Sequence, residues 1–400
     1  MLSKLSKYRL PINELIGSFL ISLLIISQCF FGISEIAFGT TIIYKIVLAL
    51  GSIVAFFLFN KKFSVKQFGL FFVICSYLFI TFVAKNGPEF SDLALSFVIY
   101  GCVAFVYSFS PVNKKALCWI CTLFGLLWLG LFLLQNHFKI NDSFLFGHTL
   151  LPVAISNFLL LSTYKNDGIV LMVIKIVLFT FLAVLLVFKG SRGPVVCFLI
   201  FIFVHFLPCL KQPKVRIIYI VFLAIFILLL VFAEQLVTIV YNAMPGKIAF
   251  IDKTYALIKA HSDVSNNRFE IIAEVFKQYK FRDFIFGIGI GGYSKDHPEN
   301  DYTHNLVISV LLDFGIIGVL FILFCLVVFI YLQFKNSDDR IYSELLFGTS
   351  FLPLLFSQNY WKLYTFWLFL FFIINSSDLF FVDIRKIGEK LTLKRRSEAC

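Results

Sequence analysis

Charge is scarce in this chain. Asp, Glu, Lys and Arg make up 14% of its 400 residues, against about 25% in ordinary soluble domains. A soluble domain of this length is thereby excluded. Acid is thin in the longest polar stretch, where Glu270, Glu274, Asp296, Glu299 and Asp301 are scattered. No carboxylate pair or Asp-x-Asp cluster stands there, so no bound divalent ion is suggested. Cysteine is missing from the same stretch, and eight of the nine cysteines lie in apolar runs. There they behave as small hydrophobes, which argues against a disulfide framework. Cys118 and Cys121 have CxxC spacing but no second pair, so neither a metal nor a redox role is read from them. No cleavable signal peptide is evident, because the first apolar run is long and more runs follow it.

Apolar residues are abundant. They make up 60% of the chain, and the mean hydropathy is +0.92. A membrane-spanning helix needs about 20 apolar residues. Such runs occur near 13–32, 41–59, 65–84, 93–110, 116–134, 149–164, 169–188, 194–210, 216–236, 315–334, 341–357 and 363–381. The expected fold is therefore all-α and polytopic, with about twelve transmembrane helices. The sixth run is short, and Pro353 interrupts the eleventh.

The net charge of +12 has a simple source in such a protein. Loops on the cytoplasmic side are enriched in Lys and Arg. With the N-terminus inside, the inner loops hold Lys4, Lys7, Arg9, Lys61, Lys62, Lys114, Lys115, Lys165, Lys211, Lys335 and Arg340, and a basic tail follows. The short outer loops carry only Lys85, Lys139, Lys189, Arg192 and Lys362. Both termini are then expected in the cytoplasm. The chain divides into spans one to nine (1–236), a large outer loop (237–302), an interfacial helix with the last three spans (303–381), and a basic tail (382–400).

The large loop carries structure signals. Asn267 with Glu270 resembles a helix N-cap followed by an acid. Phe269, Ile272, Ala273, Phe276 and Tyr279 then recur at helical spacing. This predicts an amphipathic helix with Arg268 in its first turn. Gly287-Ile288-Gly289-Ile290-Gly291-Gly292 matches GxGxxG but lacks the strand and βαβ unit that a dinucleotide site needs. It reads as a tight, close-packed turn.

Three features suggest chemistry. Lys189-Gly190-Ser191-Arg192-Gly193-Pro194 joins two outer span ends, and Pro194 suits a helix's first turn. Arg192 thus sits at a helix N-terminus, where anions are favoured; the plain alternative is an Arg snorkelling to headgroups. Arg268 lies in the loop helix, where a solvated Arg is also ordinary. His304 enters the apolar stretch that leads to Gly315 and Gly318. A lone histidine there can be a mere helix-end polar group. His137, His148, His261 and His297 are also placed outside, and His205 reads as a packed or partnered group within span eight.

Taken together, these residues resemble a family. An outer Arg in a Ser-Arg-Gly turn, a second Arg in the large loop, a Gly-rich turn, and His304-Asn305 followed after nine residues by Gly315-x-x-Gly318 look like the O-antigen ligase and O-antigen polymerase superfamily of bacterial inner-membrane glycosyltransferases. The resemblance spans about residues 185–335 in motif and the whole chain in topology. It implies a GT-C-like, metal-independent and cofactor-free enzyme acting on the periplasmic face. The implied donor is an undecaprenyl diphosphate-linked O-antigen glycan. Arg192 and Arg268, with Lys189 in support, would bind the diphosphate, and His304 would be the general base. A ligase transfers the glycan to the lipid A-core; a polymerase extends another lipid-linked glycan. The His304 segment and the Ser-Arg-Gly turn look closer to the ligase. A flippase or transporter is the non-enzymatic alternative, but it predicts internal repeats and charged spans, and neither is prominent.

Overall fold

The computed structural model describes residues 11–40, 42–59, 65–85, 95–135, 143–164, 167–189, 192–212, 233–243, 268–297, 303–335, 339–356 and 359–377, with a few isolated positions between 217 and 259. The described chain is helical, with no strand among those residues. In chain order the helices are α1 (Ile12–Ile25), α2 (Ser27–Phe38), α3 (Ile42–Phe59), α4 (Val65–Lys85) and α5 (Phe97–Tyr107). Next come α6 (Lys114–Gln135), α7 (Ser143–Thr163), α8 (Ile169–Lys189), α9 (Arg192–His205) and α10 (Ala233–Ala243). Short helices α11 (Arg268–Gln278), α12 (Phe281–Phe286) and α13 (Gly292–Asp296) precede the long α14 (Leu306–Phe334). The last are α15 (Asp339–Leu346), continued by a π turn at Phe347–Phe351, and α16 (Tyr364–Ser377).

By length and composition, α3, α6, α7, α8 and α14 can each cross a membrane. A sixth span results if α1 and α2, bent by 82° relative to each other, count as one. The protein is thus membrane-embedded and all-helical. Shorter apolar helices α4, α5, α9 and α16 fall on four further expected runs. Pro353 does not interrupt the eleventh run as expected: α15 passes through the π turn into Leu352–Leu354 with helical backbone at each junction, and the Thr349 carbonyl, four residues before Pro353, accepts instead from the Thr365 hydroxyl at 3.2 Å. Most of the ninth run, the tail 382–400, and His137, His261, Asn267, Glu299 and Asp301 lie outside the described residues.

Helix α7 is central, with 83% of its apolar window buried; α8, with 17%, lies at the rim. Exposed Val170, Val173, Val177 and Phe181 on α8 present an apolar surface suited to lipid. No disulfide joins the described cysteines.

Residues assigned to the inner loops meet at one end of the bundle. Lys114 pairs with Asp339 at 3.6 Å. Asp167 bridges Lys115 and Lys175. Lys175, fully buried on α8, also donates to the carbonyls of Leu160 (3.1 Å) and Tyr164 (2.8 Å). It thereby caps the C-terminus of α7, whose last carbonyls lack helical partners. His205 Nδ1 lies 2.7 Å from Glu344 Oε2, and Arg340 donates to the same carboxylate at 2.8 Å and to the His205 carbonyl at 2.6 Å. His205 is therefore the partnered polar group that its place in a span implied.

Candidate functional site

A convergence of polar groups lies around the start of α14. Asn305 is its N-cap: Oδ1 accepts from the amides of Val307 (2.9 Å) and Ile308 (3.2 Å). These are two of the donors that a helix start leaves orphaned. His304 therefore stands just outside the helix instead of riding on it, which corrects the expectation of a histidine carried by an interfacial helix. Its φ is +54°, the only left-handed value at a non-glycine among the described residues. Such a conformation costs an L-residue roughly 1–2 kcal/mol and persists where the surroundings over-determine it. Both neighbours do so. Buried Thr303 donates to the Asn305 carbonyl at 3.1 Å and shares a hydrogen bond with Ser309 at 2.8 Å, while Asn305 is fixed by its cap. The half-buried His304 is thus aimed by a locked backbone.

Eleven residues after His304, α14 breaks. Gly315 has φ 67° and ψ −161°, a region essentially confined to glycine. The break strips carbonyls of helical partners, and other segments supply replacements. The amide of Ile288 donates to Leu312 O at 2.7 Å. The hydroxyl of Tyr77 on α4 donates to Asp313 O at 2.8 Å. The Gly-rich turn therefore docks on the break, as its close-packed reading implied. Gly287, Gly289 and Gly291 all have positive φ.

Asp313 was not singled out from the sequence. Its Oδ2 accepts from the Tyr360 hydroxyl and from Trp361 Nε1 at 3.2 Å, and the residue is buried. Burial and then the Asp313 charge push the Tyr360 hydroxyl's pKa well up, so Tyr360 stays a donor. The available signal was one acid inside an otherwise apolar run between His304 and Gly315, and a charge so placed tends to be functional. A cavity of about 30 Å³, room for a water or two, adjoins Asp313, Thr303, Ser309, Ser294, Asn359 and Tyr360.

Arg268 opens α11, as expected for the loop helix. The buried face differs from the one read in sequence. Val275, with Ile271, Ile272 and Tyr279, packs on Tyr293, Ile308 and Leu312, while Phe276 is 54% exposed and touches Phe284. The helix turns this face because it seats on α13 and α14, and Phe276 is left to the outside. The helix that Arg268 begins is thus packed against the one that follows His304. His297, 2.7 Å from Gln278 Oε1 and stacked on Tyr293, belongs to this packing.

Arg192 is the first residue of α9 and is half-buried, with Pro194 in the first turn. Lys189 ends α8. The side chains of Lys189 and Arg268 lie outside the described residues. A Cβ built on Gly193 would stand 3.8 Å from His148 Nε2 and 4.0 Å from the Cβ of Phe356. Phe356 precedes the Asn359–Trp361 segment that borders the Asp313 cavity. Gly193 thus neighbours Phe356, three positions before Asn359 in the sequence. Among the described residues no three His, Cys, Asp or Glu side chains converge to hold a metal.

Helical and membrane-embedded, with a polar convergence at a broken helix, the chain falls among polytopic membrane proteins. Residues 176–323 match the family described as O-antigen ligase, in agreement with the resemblance read from the sequence. The matched segment contains Lys189, Arg192, Arg268, His304, Asp313 and Gly315. No curated protein matches the chain.

Proposed function

We propose that this protein is a membrane glycosyltransferase of the O-antigen ligase or polymerase class, and specifically a ligase. It moves O-antigen polysaccharide from undecaprenyl diphosphate to the lipid A-core of lipopolysaccharide, on the periplasmic face of the bacterial inner membrane. The observation that carries this reading is the locked, left-handed backbone of His304 ahead of the helix that breaks at Gly315, within the segment that matches the O-antigen ligase family.

The chemistry follows from the residue types. The acceptor is a sugar hydroxyl, a weak nucleophile, and imidazole is a base with an ordinary pKa near working pH. His304 takes the hydroxyl proton as its oxygen attacks the anomeric carbon. The bond from that carbon to the diphosphate oxygen breaks on the opposite face, so configuration inverts. Negative charge then grows on the departing undecaprenyl diphosphate. Arg192 and Arg268, with Lys189, meet that charge where it develops, and the α9 N-terminus adds its dipole. Two guanidinium forks and a helix end take the place of a divalent ion. Residues 1–236 form the scaffold carrying Arg192, 237–302 the loop carrying Arg268, and 303–381 the unit carrying His304; the tail 382–400 stays in the cytoplasm.

The test is lipopolysaccharide gel analysis of a deletion strain. A core lacking all O-antigen, with long lipid-linked chains accumulating, is the outcome expected of a ligase. A core bearing a single repeat would assign the polymerase reaction instead. An unchanged ladder would overturn both.

A further inference from the structure

A second cavity, of about 300 Å³, opens between α2, α6 and α7, apart from the Asp313 cavity. Its walls are patterned. On α2, Gln28, Gly32 and Glu35 recur at i, i+4 and i+7 and face it. On α6, Trp128, Phe132 and Gln135 repeat the same spacing. Phe146 and Thr149 on α7 complete the enclosure. Each facing stripe thus carries hydrogen-bonding groups toward its ends. The rings of Trp128, Phe132 and Phe146 pack mutually at 5.2–5.9 Å between centroids, forming one aromatic wall.

This pattern has no structural explanation in the bundle. Polar side chains on membrane helices are costly and mark sites, yet the side chains of Gln28, Glu35 and Gln135 make no hydrogen bond among the described residues and are exposed. Nor does the indole N–H of Trp128 find an acceptor there. That nitrogen lies against the bare Cα of Gly32, where a Cβ would stand 2.4 Å away. The 82° bend after α1 swings α2 out of line and makes room for the cavity beside it.

The lining selects its ligand. Among the described residues no Lys or Arg borders the cavity, and Glu35 does, so an anionic phosphate is disfavoured. An acyl chain would leave two amides, a carboxylate and an indole N–H unused. A neutral sugar ring uses all of them: apolar C–H faces lie on aromatic rings, and hydroxyls reach amide and carboxylate groups. The volume is at the small end of ligand pockets, about 300–1,000 Å³, which suits a ring or two. Its position also fits. Thr149 lines this cavity, while the preceding residue, His148, lies by Gly193, the neighbour of Arg192.

We propose that this cavity binds a neutral sugar ring of the glycan being handled, stacked on the Trp128 wall and held by Gln28, Glu35 and Gln135. The glycan part of this inference rests on the glycosyltransferase reading above; the sugar site itself does not. The test uses full-length protein in lipid nanodiscs with free glucose, galactose and N-acetylglucosamine as probes. Binding is read by saturation-transfer NMR and tryptophan fluorescence. Saturable binding of at least one sugar is expected. It should weaken about tenfold in Gln135→Leu, the loss of about 1.4 kcal/mol, and similarly in Gly32→Ala, which pushes the indole aside. Gly69→Ala, a change that meets nothing within 4 Å, should bind as wild type. Absence of saturable binding by the wild type, unchanged binding in both cavity variants, or a co-purified lipid that no sugar displaces would overturn it. Sugar binding intact in a protein with no transferase activity would support the site and reject the reaction instead.

Discussion

Gly287 and Gly315 touch through their backbones: a Cβ built on either would fall 2.8 Å from the amide nitrogen of the other. Real Cβ atoms do not approach that closely. Both residues also hold positive φ, so an alanine at either meets strain and collision together. One contact therefore fixes the loop to the broken helix and sets how His304 is presented.

Gly315→Ala should destabilise the protein by about 1–3 kcal/mol from backbone strain alone, and more through its clash 2.2 Å from the Ile285 carbonyl oxygen. Transfer activity should fall with it. Gly69→Ala, with nothing within 4 Å, is the control and should be neutral. Thermal unfolding of the two purified variants checks this, and equal melting temperatures would show that the contact is dispensable.

His304→Ala should abolish transfer while leaving the amount of protein in the membrane unchanged. His304→Gly should be equally inactive yet no less stable than wild type, since glycine adopts a φ of +54° freely. Complementation of a deletion strain, with immunoblots of membranes, reads both properties. Wild-type transfer by either variant would remove the base assignment.

Arg192→Lys and Arg268→Lys should each recover little of the activity lost in the alanine variants. A guanidinium offers a planar fork to phosphate, and an ammonium does not. Transfer should also survive chelation of divalent ions in a purified assay. Full activity in both Lys variants would reduce the arginines to surface charge, and a strict ion requirement would reject the two-Arg scheme.

Asp167→Asn should lower stability at neutral pH by about 3 kcal/mol, the order expected when a buried pair is broken, because Lys175 stays buried on α8. Hydrogen bonds from Lys115 and then Lys175 hold the Asp167 carboxyl below its ordinary pKa. The stabilisation is therefore present above the unfolded value of about 3.9 and is lost as pH falls through the lower folded value. The wild type should show this loss on its acid limb, and the variant should not. Parallel acid limbs in a pH series of melting curves would contradict the assignment.

Several of these relationships were legible in the residues. The apolar runs, the loop helix beginning at Arg268 and the Gly315 break each have a local cause in length, periodicity or glycine. What stayed hidden depends on partners distant in sequence. Phe276 and Val275 are equally apolar, and only docking on Ile308 and Leu312 decides which is buried. Asp313 gains meaning from Tyr360 and Trp361, 47 and 48 positions away. The tilt of α2 could not be read from its hydropathy. The left-handed backbone of His304 was not legible because histidine, though it visits that region more often than most side chains, does so only rarely; Thr303 and Asn305 impose it here.

The amide of Ile288 on the Leu312 carbonyl has a further consequence. It pins α14 rotationally just before the break, so the segment between that pin and Asn305 acts as an angular gauge. Each residue of helix turns the chain by about 100°. Adding one residue between Asn305 and Leu312 would leave every named group intact and still swing His304 to a different side of the helix.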